Sequence, residues 1–362
     1  MPVLRPSSSD FTSFVKAAAQ YVAPGRTAKV SKSGGVSVAL PGLGAVVRTS
    51  QVGALASPTT SAVIINGVTP RPAAAAAAAA AAVVRVLLGV VTTLAGQTTG
   101  AFADGTGAGA SFNFLTGVAV IPSSGVIIVA DRNNHRIRLV TPLGVVTTLA
   151  GSGQDFADGT GALARFNFPV GVAFIPSTNV IVVADNNNNR IRLVTYPGGV
   201  VTTLAGQLTG GFADGTGALA QFNQPQGVAL LSDGKIVVAD LSNNRIRIVD
   251  PTSGVVTTLA GQTTAGSVNG TGAAASFRDP AAVAVFPSSN LIVVADQGNH
   301  LIRLVTYPGG VVTTLAGSGT AAFANGTGTG ASFNYPTGVA LNPLTGEIVV
   351  ADSSNNRIRL IT

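Results

Sequence analysis

The chain has 362 residues, enough for one large domain and one small one, and only 10% of them are charged. It has no cysteine, which excludes disulfides, thiol nucleophiles and thiolate metal sites, and no apolar run approaches the roughly 20 residues that span a bilayer. The formal net charge of +7 lies entirely in residues 1–89, which contain eight basic residues and one acidic residue, Asp10. Residues 90–362 carry 13 basic and 13 acidic residues.

The N-terminal region, residues 1–72, is predicted to be a basic, β-rich module with one short helix. Residues 10–21 favour the helix, with Ser9 as its N-cap, and residues 28–68 contain short valine-rich runs separated by serine and glycine. The first ten residues lack the apolar stretch of a secretion signal, because Arg5 and the polar residues 7–10 interrupt it. Export through a standard signal is therefore not expected, and the location stays open, with a virion or another surface assembly favoured.

Residues 73–89 are predicted to be an alanine-rich linker. Ten consecutive alanines, Ala73 to Ala82, suit either a helix or a low-complexity connection. No function is assigned to this segment.

The heptapeptide VVTTLAG occurs five times in the remainder of the chain, and its copies begin at Val90, Val145, Val200, Val255 and Val311. The spacing of 55 or 56 residues is typical of a repeat in which each unit stacks on the next, and it suits a β-propeller blade better than a helical solenoid. Residues 90–362 are therefore predicted to form one repeat domain.

Four short apolar runs recur within each repeat. In the second copy they cover residues 171–175, 180–184, 190–194 and 200–205, and turn-forming residues separate them. Four antiparallel strands joined in this order make the meander of a propeller blade. The fold class is predicted to be all-β.

The number of strands predicts how the propeller closes. The repeats begin with a fourth-type strand, residues 90–95, and the last repeat ends after its third strand, residues 357–362. We expect these two segments to pair and to close a ring of five four-stranded blades. The alternative is a sixth blade built from residues 28–89.

The repeated motif resembles the NHL repeat. Its residues in the second copy begin with Asp158-Gly159-Thr160-Gly161, continue with Phe166, Pro169, Gly171 and Ala184-Asp185, and end with Asn188, Arg190, Ile191 and Arg192. The resemblance covers residues 90–362 and implies a β-propeller of a family that includes many interaction proteins and a few enzymes. Some copies depart from the motif: Asn269 and Asn325 replace the loop aspartate, Ala282 replaces the glycine and Leu301 replaces the first arginine.

An aspartate ends the second strand of every copy, and in every copy except the fourth it lies five residues before the first arginine of the third strand. A structural role is expected, because the two side chains can bond across their shared turn and aspartate also caps turn amides. The alternative is a ring of calcium ligands, but no bidentate glutamate follows. These aspartates are Asp131, Asp185, Asp240, Asp296 and Asp352.

A second arginine occupies the same place in the third strand of every copy. The preferred interpretation is an ion pair with a turn aspartate, within a blade or between blades. The alternative is a basic ring that binds phosphate or acidic glycan, although the balanced charge of the repeats weakens such a field. These arginines are Arg138, Arg192, Arg247, Arg303 and Arg359.

The repeats offer few groups for catalysis. They contain Glu347, Lys235, His135 and His300, and the two histidines replace asparagine at one turn position, which indicates drift at a surface site. Propeller enzymes of this kind gather histidine or glutamate around a metal on the axis, and no such group is evident here. The prediction is a protein without catalytic residues, metal or cofactor.

The predicted function is a structural or binding propeller, attached to a larger assembly such as a capsid or virion through its basic N-terminal arm. The candidate anchor residues are Phe11, Phe14, Lys16, Arg26, Lys29 and Lys32. One alternative is a protein- or glycan-binding propeller that uses the loops around Phe102, Phe156 and Phe212, and another is a metal-dependent hydrolase or lyase. Nucleic acid ranks below protein as a partner, because few aromatic residues accompany the basic ones.

Overall fold

The computed structural model describes residues 27–30, 36–39, 46–48, 91–342 and 345–362. Contacts divide the chain into two units, Met1–Leu87 and Leu88–Thr362. In the first unit, strands β1 (Thr27–Val30), β2 (Val36–Ala39) and β3 (Val46–Arg48) form an antiparallel meander. The predicted helix at residues 10–21 and the alanine run lie outside the described residues.

The second unit consists of five successive antiparallel sheets, one for each repeat, which we call blades 1 to 5. Blade 1 contains β4 (Gly105–Thr106), β5 (Leu115–Val120), β6 (Ile127–Asp131), β7 (Arg136–Val140) and β8 (Val145–Ala150). Blade 2 contains β9 (Gly159–Thr160), β10 (Pro169–Ile175), β11 (Val180–Asp185), β12 (Arg190–Thr195) and β13 (Val200–Gly206). Blade 3 contains β14 (Gly215–Thr216), β15 (Pro225–Leu230), β16 (Ile236–Asp240), β17 (Arg245–Val249) and β18 (Val255–Gly261).

Blade 4 contains β19 (Gly270–Thr271), β20 (Pro280–Phe286), β21 (Leu291–Asp296), β22 (Leu301–Val305) and β23 (Val311–Ala316). Blade 5 contains β24 (Pro336–Leu341), β25 (Ile348–Asp352) and β26 (Arg357–Ile361). The all-β, five-bladed propeller is confirmed. In the part of the chain that the structure describes, no helix is long and apolar enough to cross a membrane.

Each blade is a meander whose first strand lies innermost. The sheet order in blade 2 is β10-β11-β12-β13-β9, and the first strands of successive blades, β5, β10, β15, β20 and β24, pack side by side. The four predicted strands are thus confirmed. The two-residue outermost strands β4, β9, β14 and β19 were not predicted. In blade 2 this strand comes from the DGTG loop, where Thr160 pairs with Val200 and Gly159 with Val201.

Short 3₁₀ turns occur at two places in the repeat. One type follows the outermost strand, at Gly107–Gly109, Gly161–Leu163, Gly217–Leu219, Gly272–Ala274 and Gly328–Gly330. The other joins the second strand to the third, at Arg132–Asn134, Asn186–Asn188, Leu241–Asn243, Gln297–Asn299 and Ser353–Asn355. We call the end of the blades that carries this second set of turns the upper face.

The core lies between neighbouring blades. At the junction of blades 1 and 2, Ile128 and Ile137 of one blade pack against Val172 and Ile181 of the next. The second strand of blade 2, β11, is covered on both faces, and its apolar residues therefore run continuously. A buried phenylalanine fills each of the four junctions, as the repeat motif predicts; these are Phe166, Phe222, Phe277 and Phe333.

The predicted closing pair is absent from the described residues. Val91 to Leu94 form no strand, and β26 is the edge of a three-stranded sheet. The packing that joins successive inner strands is not repeated between β24 and β5 within the described part of the chain. Among the described residues, blade 1 and blade 5 therefore each have only one neighbouring blade. The alternative of a sixth blade from residues 28–89 falls mostly outside the described residues.

Candidate functional site

The second arginine of each repeat is buried inside its own blade between two acceptors. Arg138 Nη1 lies 2.6 Å from Asp131 Oδ2, and its Nη2 lies 2.6 Å from Asp104 Oδ1. Arg138 also donates to the carbonyl oxygens of Ser111 and Ala103. Both Arg138 and Asp131 are fully buried. The guanidinium therefore ties the second strand, the third strand and the incoming loop into one unit.

The same ion pair recurs in the other blades. The distances are 2.7 Å for Arg192–Asp185, 2.7 Å for Arg247–Asp240, 2.8 Å for Arg303–Asp296 and 2.9 Å for Arg359–Asp352. In blades 4 and 5 the loop aspartate is replaced, but Asn269 Oδ1 still accepts from Arg303 and Asn325 Oδ1 from Arg359. The replacement keeps the acceptor and removes one charge.

The turn aspartate also fixes the backbone of the loop that enters its blade. Asp185 accepts the N–H of Asn167 at 2.8 Å and the side-chain amide of Asn188 at 2.9 Å, besides Arg192. Burial nevertheless raises the pKa of Asp185 and of Asp240. Burial likewise raises the pKa of Asp296 to about 6, in spite of the bonds from Asn299 and Arg303. These three carboxylates are therefore buried within their blades.

The first arginine of the repeat does not bond to the turn aspartate by its side chain; it stacks on a phenylalanine of the incoming loop. Arg136 lies 3.8 Å from the centre of the Phe102 ring, and Arg190 lies 3.7 Å from that of Phe156. Arg245 on Phe212 and Arg357 on Phe323 repeat this contact. In blade 4 both partners change together, to Leu301 and Ser267. Their joint replacement indicates that the two positions depend on each other.

A non-glycine residue with left-handed backbone precedes the innermost strand in every blade. We call these five residues the rim positions; they are Phe114, Phe168, Gln224, Asp279 and Tyr335, with φ between 51° and 57°. Such a conformation is uncommon for a bulky side chain and is found where surrounding contacts impose it. In blades 2 to 5 a contact from the preceding blade holds this position.

That contact is a hydrogen bond across the junction on the upper face. The N–H of Phe168 donates to His135 Nδ1 at 3.2 Å, and the N–H of Gln224 donates to Asn189 Oδ1 at 2.8 Å. Asp279 donates to Asn244 and Tyr335 to His300 in the same way. The residue that follows the turn between the second and third strands of one blade thus holds the rim position of the next blade.

The two histidines share this role, so their interpretation as drift at a surface position is wrong. His135 packs edge-on against Phe168 with ring centres 4.7 Å apart, and His300 packs in the same way against Tyr335 at 4.8 Å. Where the next rim residue is Gln224 or Asp279, the turn residue is asparagine. Burial is the main cause that lowers the pKa of both histidines, and neighbouring arginines lower it further.

Sequence reasoning missed the rim positions. The available signal was their variation, since the five repeats carry Phe, Phe, Gln, Asp and Tyr between nearly constant neighbours. The backbone conformation that turns them toward the upper face leaves no pattern in a single repeat.

Most of the predicted anchor residues lie outside the described part of the chain. Lys29 falls in β1, whereas Phe11, Phe14, Lys16, Arg26 and Lys32 are not described. In the described part, no group of three or more His, Cys, Asp or Glu side chains is placed to hold a metal ion.

Several solved structures resemble the chain at low sequence identity. An auxiliary nutrient binding protein from Bacteroides ovatus has a TM-score of 0.49 and 17% identity, with 75% of this chain and 76% of that one covered. Virginiamycin B lyase from Staphylococcus aureus has a TM-score of 0.44 and 14% identity, with 68% and 69% covered.

Relatives with closer sequences are longer proteins. The chain is 30% identical over 275 residues to Protein SUPPRESSOR OF QUENCHING 1, chloroplastic, of Arabidopsis thaliana, with 72% of this chain and 26% of that protein covered. It is 29% identical over 292 residues to NHL repeat-containing protein 2 of Bos taurus, with 71% and 40% covered. The chain therefore spans well under half the length of these relatives.

The NHL repeat model matches the chain five times, once in each blade. The matched residues are 112–138, 166–192, 222–249, 277–303 and 333–359. Each match contains the turn aspartate and the second arginine whose contacts are described above, and the last four matches also contain the buried phenylalanine. The chain belongs to the NHL repeat family.

Proposed function

We propose that this chain is a non-enzymatic propeller that binds a protein partner on its upper face. The observation that carries the proposal is the set of five rim positions, which display four different side chains on otherwise nearly uniform blades. In repeat proteins a constant scaffold supports the surface, and the positions that differ between repeats distinguish one ligand from another.

The chemistry of this face suits a protein partner. Phe114 and Tyr335 are exposed at 65% and 46%. The Arg132 guanidinium lies over both neighbouring rim phenylalanines, 5.5 Å from the Phe114 ring centre and 4.7 Å from that of Phe168. Aromatic residues and arginine are the side chains most enriched in the centres of protein interfaces.

The aspartate and histidine side chains that could act in catalysis are engaged in hydrogen bonds and ion pairs within the propeller. The turn aspartates are bound by arginine and by backbone N–H groups, and both histidines accept a backbone N–H with Nδ1. Membership of the NHL family also supports binding, because the resemblance implies a repeat that many interaction proteins contain.

The test compares two pairs of exposed residues on the full chain. The partner is captured from an extract of the source organism by the immobilised protein, identified, purified and bound again to each variant. Replacing Phe114 and Tyr335 by alanine should weaken its binding at least several-fold. Replacing Leu163 and Leu219, which are more exposed and lie after the outermost strands, should leave it unchanged.

Equal binding by both variants would refute the assignment to the upper face. Retention of a glycan instead of a protein would favour the glycan-binding alternative, and turnover of a captured small molecule would refute the non-enzymatic assignment.

We further propose that the basic N-terminal arm attaches the propeller to a larger assembly. Its support is the charge distribution, since residues 1–89 carry the whole net charge of +7. Deleting residues 1–70 should abolish incorporation into the assembly and leave upper-face binding intact; unchanged incorporation would refute the anchor. A capsid or virion as that assembly stays a prediction.

A further inference from the structure

The loop that enters each blade sets one polar side chain against the buried arginine, and the identity of this side chain changes along the chain. Blades 1 to 3 have aspartate there, at Asp104, Asp158 and Asp214, whereas blades 4 and 5 have Asn269 and Asn325. A glycine follows in every copy. The blades therefore compare a carboxylate and an amide at one and the same position.

The carboxylate in blade 3 uses both of its oxygens. Asp214 Oδ1 accepts from Arg247 Nη2 at 2.7 Å and from the Thr258 hydroxyl at 2.9 Å. Its Oδ2 accepts the backbone N–H of Thr258 at 3.2 Å. The equivalent threonine N–H groups of blades 1 and 2 bond to Asp104 and Asp158 in the same way. The position therefore has donors on two sides, and a carboxylate provides an acceptor for each side.

The amide in blade 4 can accept from only one of these two sides. Asn269 Oδ1 accepts from Arg303 Nη2 at 2.8 Å and from the Thr314 hydroxyl at 3.2 Å, as Oδ1 of Asp214 does in blade 3. The place of the second oxygen is then taken by Nδ2, which is a donor and cannot accept the N–H of Thr314. Turning the amide over would set Nδ2 against the guanidinium instead. The loop of blade 4 thus has the donors that a carboxylate requires, but it contains an amide.

The same contacts favour attack on Cγ of Asn269. The Arg303 guanidinium and the Thr314 hydroxyl hold the side-chain oxygen on which negative charge develops during such an attack, and fixed donors at these distances stabilise an oxyanion. The nearest nucleophile is the backbone nitrogen of Gly270, which closes a five-membered ring without hindrance from a Cβ. Gly270 pairs with Val312 in β19, a two-residue strand at the outer edge of its sheet, so the nitrogen becomes available when this short strand opens.

We propose that Asn269 is a site of spontaneous deamidation, which converts its amide to the carboxylate that the loop accommodates. The Gly270 nitrogen bonds to Cγ, the Cγ–Nδ2 bond breaks, and ammonia leaves with the hydrogen of the Gly270 N–H. Water then adds to Cγ of the cyclic imide, the bond from Cγ to the Gly270 nitrogen breaks, and that nitrogen regains a hydrogen. The net reaction is hydrolysis of the amide to aspartate and ammonia, without oxidation or reduction.

The contacts of blade 4 also determine which product accumulates. Water can open the imide at its other carbonyl, which gives isoaspartate and lengthens the backbone by one carbon. Isoaspartate would displace β19, in which Gly270 pairs with Val312 and Thr271 with Val311. Aspartate would keep this pairing and would accept both from Arg303 and from the N–H of the facing threonine. Aspartate is therefore the product expected in the folded chain.

The first test ages the full, folded chain in mildly alkaline buffer. Digestion and mass spectrometry detect the conversion of amide to acid, and electron-transfer fragmentation distinguishes aspartate from isoaspartate. Conversion of Asn269 should exceed that of Asn299, in the same blade, at least several-fold. Asn299 is the control because its Nδ2 donates to the Gly266 carbonyl and to Asp296, and because the side chain of the next residue, His300, hinders ring closure.

Two reciprocal variants test whether the loop favours the carboxylate. Asn269→Asp should raise the unfolding temperature of the chain by a few degrees, because the new oxygen accepts the N–H of Thr314 and strengthens the bond with Arg303. Asp214→Asn, the reverse change in blade 3, should lower the unfolding temperature by a similar amount. It should also create a further site of deamidation, since Gly215 follows it.

Three results would overturn the proposal. The first is equal conversion of Asn269 and Asn299 in the folded chain, which would show that the loop does not promote the reaction. The second is isoaspartate as the main product at position 269. The third is an Asn269→Asp variant that unfolds at a lower temperature than the parent, because the loop would then favour the amide.

Discussion

Single side chains of this propeller serve mainly to hold loops onto blades. The buried arginine shows this best, since one guanidinium bonds two acidic or amide side chains and two carbonyl oxygens. A buried charge is tolerated when its donors are satisfied, but removing one partner leaves the other unpaired in a medium of low dielectric constant. The repeat therefore depends on both partners.

Replacing Arg192 by methionine should lower the free energy of unfolding by roughly 3–5 kcal/mol, because Asp185 would stay buried without its cation. Urea denaturation of the full chain measures the change. The matched control is Arg165→Met, which removes an ion pair with Asp155 whose side chains are half exposed, and it should cost no more than about 1 kcal/mol. Equal losses would show that the buried pair is not what holds the blade.

The histidines at the junctions predict a dependence on pH. Their pKa is lowered in the folded protein, so the unfolded chain takes up protons first as the pH falls through about 6.5. The stability that His135 and His300 contribute is fully present above that value and is lost below it, until the folded protein is also protonated. Protonation at Nδ1 would also remove the acceptor of the Phe168 N–H.

The measurement is the unfolding midpoint at several pH values between 7 and 5. Replacing both histidines by asparagine, the residue that Asn189 and Asn244 provide at this position, should flatten the profile, whereas Asn189→His should steepen it. Asp296 acts in the opposite direction, because its raised pKa makes folding less favourable as the pH rises through its range. The difference between parent and variant is therefore the quantity to compare, and identical profiles would contradict the role of the histidines.

Within a blade, the strands follow from alternating runs and turn residues, and these were predicted to within a few residues. In blade 2 the expected run 180–184 is observed as Val180–Asp185. The two-residue strand Gly159–Thr160 was not predicted, because two residues carry no periodicity and pair only after the fourth strand is in place. The close packing between the innermost strands of neighbouring blades was not predicted either, because it joins residues of different repeats.

Glycine on the innermost strand allows neighbouring blades to approach, and this gives a prediction about packing. Gly171→Ala would bring a Cβ within 2.1 Å of the Gln226 carbonyl oxygen, and should cost about 1–3 kcal/mol through displacement of the backbone. Gly338 faces no further blade among the described residues, and its Cβ would lie 3.3 Å from Ala351, so Gly338→Ala should change the stability by no more than about 0.5 kcal/mol.

Thermal or urea unfolding of the two variants measures the predicted changes in stability. Blade 4 has Ala282 at the equivalent place, but its register shift ends before Ala282, which pairs with Ala295, whereas in blade 2 the shift includes Gly171. Equal stability of Gly171→Ala and Gly338→Ala would contradict the close approach.

Across the whole chain, the repeat period was sufficient to predict five blades and their order, and the residues of the repeated motif indicated the family. It was not sufficient to predict closure, because matching numbers of strands at the two ends do not determine the rotation between blades. That rotation depends on contacts such as Gly117 against Val170, which are set by packing. The rim positions escaped prediction for a related reason, since the partner that holds Phe168 belongs to the previous blade.

Blade 5, which has one neighbouring blade among the described residues, should be less protected than the blades in the middle of the chain. In a repeat protein each unit is stabilised mainly by its neighbours, so a blade with one neighbour opens more readily than a blade with two. Amide hydrogen exchange of the full chain at low concentration should therefore be fastest in β26 and slowest in β16 and β17, with a difference of roughly ten-fold or more. A ring closed on itself would protect all five blades alike.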